Sequence, residues 1–178
     1  MSTAPSDALE RARRVRLMAF DVDGVLTDGR LWYGPQGETL KAFSARDGLG
    51  MRMLADAGVS LALLTSRQSA AVALRAAELG IEHVLQGSQE KQARFAALLA
   101  QLGLDPAHAG YMGDDLVDLP VLRRCGFACA PPGAPGLVQQ NAHYVASAAA
   151  GAGAVREVCE FVLRAQGKLE SALAAYLA

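Results

Sequence analysis

Long apolar runs are missing from this 178-residue chain, and no stretch of about 18 apolar residues offers a transmembrane helix. The start of the chain lacks the apolar core that a secretory signal needs, so a soluble, cytoplasmic protein without a membrane partner is expected. An excess of one charge is missing too. Seventeen basic and 18 acidic side chains leave a net charge of −1, which removes the global electrostatic case for nucleic acid. The one basic run, Arg11, Arg13, Arg14 and Arg16, reads as the solvated face of a leading segment. Cysteine is scarce. Cys125, Cys129 and Cys159 lie in apolar surroundings without metal-ligand spacing, which predicts buried thiols in a reducing compartment. His83, His108 and His143 do not cluster and read as structural. No low-complexity linker divides the chain, so one domain over residues 1–178 is expected.

What is present is apolar and rhythmic. Fifty-two per cent of the residues are apolar, enough for a full core. Short β-rich runs at 15–21, 59–65, 82–87, 109–114, 126–130 and 142–145 lack strict alternation, as strands buried on both faces do. Helical patterns lie between them, near 47–57, 68–79, 89–102, 115–124 and 154–166. Gly58, Gly80 and Gly103 each follow a helical pattern, where the chain must turn through positive φ. The pattern predicts an α/β fold with a parallel central sheet and helices on both faces. Residues 28–46 break the rhythm with two β-like runs around "GPQG", which predicts a hairpin inserted after the first strand.

In such a sheet, ligands bind beyond the carboxyl ends of the strands. The first strand delivers Asp21 and Asp23 there, from "LMAFDVDGVLTDG" at 17–29. The second delivers Thr65, Ser66 and Arg67. The third leads to Lys91 at a helix start, and the fourth delivers Gly113, Asp114 and Asp115, with Asp118 one turn on. Carboxylates from different strands can share a hard cation such as Mg²⁺, and a carboxylate can accept a phosphoryl group. A carboxyl two residues further on can exchange protons with the leaving oxygen and with water. Asp28 reads as a turn residue of the hairpin. Thr65 could also cap the helix near Gln68. Trp32 and Tyr33, on a protruding hairpin of a chain with 6% aromatics, suggest a subunit contact.

"DVDGVLTDG" resembles the first motif of the haloacid dehalogenase superfamily. Thr65, Lys91 and "GDDLVD" (113–118) stand in order where that superfamily has its other three motifs. The resemblance implies a Rossmann-like three-layer core with no cap domain. It makes Asp21 the nucleophile and Asp23 the general acid/base, with Thr65 and Lys91 on the phosphate. Mg²⁺ would be held by the side chains of Asp21 and Asp114 and the carbonyl of Asp23, with Asp118 behind them and Asp115 ambiguous.

"FSARDGLGMRML" (43–54), "LLTSRQS" (63–69), "YMGDDLVDLPVL" (111–122) and "GAVREVCEFVLRAQGKLE" (153–170) further resemble the 3-deoxy-D-manno-octulosonate 8-phosphate phosphatases of lipopolysaccharide precursor synthesis. That family is a capless homotetramer in which a neighbouring subunit helps to cover each site. The resemblance implies that Arg46, Asp47, Gly48 and Arg67 contact the sugar acid or its phosphate. A tail at about 167–178 would be frayed or docked on a neighbour. Ala152 stands where the family pattern has arginine. Phosphatases of sialic-type nine-carbon 9-phosphates therefore stay open as an alternative reading. A non-catalytic oligomerisation module and a phosphotransferring mutase are the rivals from other classes.

Overall fold

The computed structural model describes residues 5–35, 37–87 and 89–177. A leading helix, α1 (Pro5–Arg13), runs into the first strand, β1 (Leu17–Phe20). The hairpin strands β2 (Trp32–Gly34) and β3 (Gly37–Leu40) follow, then α2 (Ala45–Asp56), β4 (Ser60–Leu64), α3 (Ala70–Leu79), β5 (His83–Leu85) and α4 (Lys91–Leu102). The chain continues through β6 (Ala109–Met112), α5 (Leu119–Leu122), β7 (Phe127–Ala130), α6 (Gly136–Gln140), β8 (Tyr144–Val145), α7 (Ala154–Ala165) and α8 (Leu169–Ala174).

Six strands form one parallel sheet in the order β5-β4-β1-β6-β7-β8. β1 lies inside it: Leu17 pairs with Ser60 on one side and with Ala109 on the other. Successive side chains of a strand point to opposite faces. Met18 and Phe20 therefore enter a core with Met51 and Leu54 of α2 and Val155, Val158 and Val162 of α7. Leu17 and Ala19 enter a second core with Phe95 and Leu98 of α4 and Val121 of α5. This three-layer packing is why the strands read as unbroken apolar runs.

Helix endings follow the expected glycines, with one shift. Gly80 and Gly103 cap α3 and α4 in left-handed conformation, φ 69° and 61°. Gly58, at φ 89°, sits one residue beyond the cap of α2. The pattern at 115–124 is not one helix. A 3₁₀ turn at Leu116–Asp118 precedes the short α5, with Pro120 in its first turn. The helix placed near Gln68 begins at Ala70, with Ser69 as its cap residue, so Thr65 does not cap it. The basic run at 11–16 is only partly a solvated face. Ala8 and Ala12 of α1, one turn apart, are buried while Arg13 and Arg14 are exposed. Among the described residues, no helix is long and apolar enough to cross a membrane.

Candidate active site

The sheet aims the site residues by extending its own ladder. The Asp21 N–H donates to Met112 at 2.9 Å, Thr65 N–H to Leu85 at 2.9 Å, and Gly113 N–H to Cys129 at 3.1 Å. Each strand thus delivers its polar residue in register with its neighbours. Asp21, Asp23, Thr65, Arg67, Lys91, Asp114 and Asp115 share the lining of one cleft of about 340 Å³. Residues from 21 to 115 meet there because β1 is flanked by β4 and β6, the switch point of the topology.

Behind the cleft lies a buried polar chain. Asp118 is fully buried. Its Oδ1 accepts from the Tyr111 hydroxyl at 2.6 Å and from Lys91 Nζ at 2.7 Å. Its Oδ2 accepts from the backbone N–H of Asp114 at 3.0 Å and of Asp115 at 3.2 Å. A Cβ on Gly113 would lie 2.5 Å from Asp118 Cβ, so this turn requires glycine. Lys91 Nζ also stands 2.8 Å from Asp21 Oδ2, while Asp21 Oδ1 accepts from Val22 N–H at 2.7 Å. Burial opposes the charge on Lys91, but Asp21 and Asp118 outweigh it and hold the ammonium above its ordinary pKa.

The carboxylates are under the opposite pressure. Burial, then the nearby Asp118, push Asp21 up to about 6 against the pull of Lys91. Burial, then Asp21 and Asp118, push Asp114 up to about 7. Oxygens of Asp21, Asp114 and Asp118 lie within 4.8 Å of one another. Both Asp118 oxygens already accept two hydrogen bonds, which makes it an organiser of Lys91 and of the turn rather than an open ligand. Among the described residues, by contrast, no donor takes the Asp114 carboxylate or the Asp23 carbonyl. Gly24 leaves room beside Asp114: a Cβ there would lie 2.0 Å from Asp114 Oδ2. This donor set of crowded, under-neutralised oxygens fits a hard divalent cation.

The remaining candidates divide. Thr65 is buried, and its Oγ1 accepts from Arg67 N–H at 3.3 Å. Arg67 is exposed; its Nε lies 3.7 Å from Asp23 Oδ2 and its guanidinium donates to the Tyr33 hydroxyl at 3.1 Å. The Asp115 side chain turns back to accept from Leu116 N–H at 2.7 Å. Asp28 accepts from Arg30 N–H at 3.0 Å, a turn role.

Arg46, Asp47 and Gly48 are not among the residues lining the cleft. Arg46 donates to the Ala152 carbonyl at 3.2 Å. Asp47 is buried and accepts from the N–H groups of Gly153 and Arg156 at the start of α7. Burial raises its pKa against those hydrogen bonds. Gly48 packs against Arg75. Lys41 joins the site without a signal in the sequence. Lys41, at the end of the hairpin, ion-pairs with Asp23 at 2.5 Å.

No family model matches the chain. The chain superposes on a solved structure from Legionella pneumophila described as a HAD superfamily (subfamily III A) hydrolase, 38% identical. That comparison covers 97% of this chain and 94% of the other, with a TM-score of 0.92. The class is therefore a hydrolase of haloacid dehalogenase type. The 3-deoxy-D-manno-octulosonate 8-phosphate phosphatase KdsC of Yersinia pestis is 45% identical over 166 residues, 93% of this chain and 89% of the relative. The Moraxella catarrhalis phosphatase of the same name, solved with a magnesium ion, a phosphate ion and a KDO molecule, is 39% identical. It superposes with a TM-score of 0.95 over 97% of this chain and 99% of that one. The chain belongs to the KdsC family of 3-deoxy-D-manno-octulosonate 8-phosphate phosphatases.

Proposed function

We propose that the protein is a Mg²⁺-dependent phosphatase that hydrolyses 3-deoxy-D-manno-octulosonate 8-phosphate to the free sugar acid and phosphate. The observation that carries this is the meeting of Asp21 and Asp114, beyond the ends of adjoining strands, with Lys91 at the start of α4, in a chain related over 93% of its length to KdsC. In this reading Asp21 attacks phosphorus and the bond from phosphorus to the sugar oxygen breaks. Asp23 gives its proton to that departing oxygen. Water then attacks the aspartyl-phosphate, its proton passes to Asp23, and the bond from Asp21 to phosphorus breaks to release phosphate. Lys91 and Thr65 neutralise and orient the phosphoryl oxygens. Arg67, the exposed guanidinium of the cleft, suits a substrate carboxylate. The carboxylates of Asp21 and Asp114 and the carbonyl of Asp23 would hold Mg²⁺, which supplies positive charge for the phosphoryl group and removes the repulsion between the carboxylates.

The protein acts, in this reading, in the cytoplasm and as a homotetramer whose neighbouring subunit covers the cleft. Trp32, Tyr33 and Leu40, each more than half exposed on the hairpin, support a subunit contact. A substrate panel tests the reading. kcat/KM for octulosonate 8-phosphate should exceed that for nine-carbon sialic-type 9-phosphates, and the opposite order would replace the proposed substrate. Asp21→Asn should lower turnover by more than about a thousandfold with the fold intact.

A further inference from the structure

The hairpin is an exposed element with one buried charge. Trp32, Tyr33 and Leu40 are 56, 65 and 67% exposed, but the side chain of Lys41, immediately after Leu40, is 1% exposed. Its Nζ lies 2.5 Å from Asp23 Oδ1 and 3.0 Å from Glu38 Oε1. Burying an ammonium is costly unless it is paired on more than one side. Glu38, three residues earlier on the hairpin, supplies the second partner. A hairpin needing only an anchor would do as well with an apolar side chain. Here the ammonium is aimed at the carboxylate two residues beyond the proposed nucleophile.

Asp23 is held from both sides. Oδ1 faces Lys41, while Oδ2 faces the cleft, with the exposed Arg67 at 3.7 Å. A carboxylate fixed by one oxygen cannot rotate its other oxygen out of the cleft. In-line phosphoryl transfer depends on that kind of orientation.

We propose that Lys41, braced by Glu38, is a positioning residue: it locks one oxygen of Asp23 so that the other exchanges protons with the sugar oxygen and then with water. This rests on the phosphatase reading above. Lys41 is not among the residues lining the cleft. The hairpin thereby contributes to the chemistry, not only to the surface.

The test is steady-state kinetics of the full-length, Mg²⁺-loaded Lys41→Met protein. Phosphate release is followed from octulosonate 8-phosphate and, in parallel, from p-nitrophenyl phosphate. kcat should fall about 10–100-fold, part of the 10²–10⁴ that a placed acid–base group supplies, with KM within about twofold of the parent. Lys41→Arg should recover most of the loss, and Glu38→Gln should give a smaller loss of the same kind. Thermal midpoint and molecular mass separate misfolding from misplacement. Parental kcat in Lys41→Met would overturn the proposal. So would a loss of kcat that only tracks the loss of folded protein, or an arginine variant as poor as the methionine one. Failure of the substrate reading shows elsewhere: the parent would turn over p-nitrophenyl phosphate but not octulosonate 8-phosphate, and the ratio of variant to parent would still decide the role of Lys41.

Discussion

Asp47 on α2 accepts a hydrogen bond from the N–H of Arg156 on α7 at 2.8 Å. Its other oxygen accepts from Gly153 N–H at 3.3 Å. One carboxylate thus caps a helix that begins more than a hundred residues later, and α2 and α7 pack along each other around it.

Asp47→Ala should therefore act on stability. The loss should be about 1–2 kcal/mol, the worth of a helix cap, lowering Tm by roughly 3–6 °C. KM should stay within about twofold, since Asp47 does not line the cleft. A large rise in KM with unchanged Tm would return Asp47 to the substrate.

Stability should depend on pH and metal together. The folded state holds Asp21 near 6 and Asp114 near 7, against 3.8 for an ordinary aspartate. Raised carboxyl pKa values mean that the folded state binds protons more readily than the unfolded chain. In chelator, stability should thus be greatest below about pH 4 as far as these two groups are concerned, and should fall as pH climbs from about 4 to about 7. The loss should be on the order of a few kcal/mol. Mg²⁺ competes with those protons, so its stabilisation should be small at pH 5 and large at pH 8. Thermal melts with chelator and with Mg²⁺ across this range measure both slopes.

Gly24→Ala should weaken the metal site from a position that donates no ligand side chain. The new methyl would collide with Asp114 Oδ2, and the backbone there has φ 86°. The Mg²⁺ concentration for half-maximal activity should rise about 10–100-fold, as when the support of a metal ligand is disturbed. Activity titrated with Mg²⁺ reads this directly.

Charges on the hairpin should dissolve the proposed homotetramer. The Trp32→Glu, Leu40→Glu double variant should give a smaller particle than the parent by light scattering, and its activity should fall with it. A fully active monomer would remove the neighbouring subunit from the account of the site.

The residues of the site and its surroundings differ in how much of their role the sequence encodes. Asp21 and Asp114 were legible because Asp21 directly follows a short apolar strand and Asp114 follows another with only Gly113 between, and strand order then brings them together. Asp118 lies one turn beyond Asp114 in the sequence, but its four hydrogen bonds, from Tyr111, Lys91 and the backbone of Asp114 and Asp115, come from the fold. For Asp47 the resemblance implies a substrate contact and says nothing of a helix cap; its partners lie across 106 and 109 positions, and no local pattern encodes such a contact. Lys41 was less legible still. A lysine between Leu40 and Ala42 reads as solvated, and only the fold brings it to Asp23, with a side chain 1% exposed. α1 was missed because its arginines dominate the segment, while Ala8 and Ala12, which bury it, are small.

The place of β1 in the sheet also governs when the protein can exist. Leu17 needs Ser60 on one side and Ala109 on the other. During synthesis the first strand emerges early but stays half-paired until the chain beyond Ala109 has left the ribosome. Pairings this distant are slow to form, and waiting apolar strands invite association with other chains. The arrangement that gathers Asp21, Lys91 and Asp114 into one cleft thus leaves the first strand without one of its two neighbours until β6 has been made.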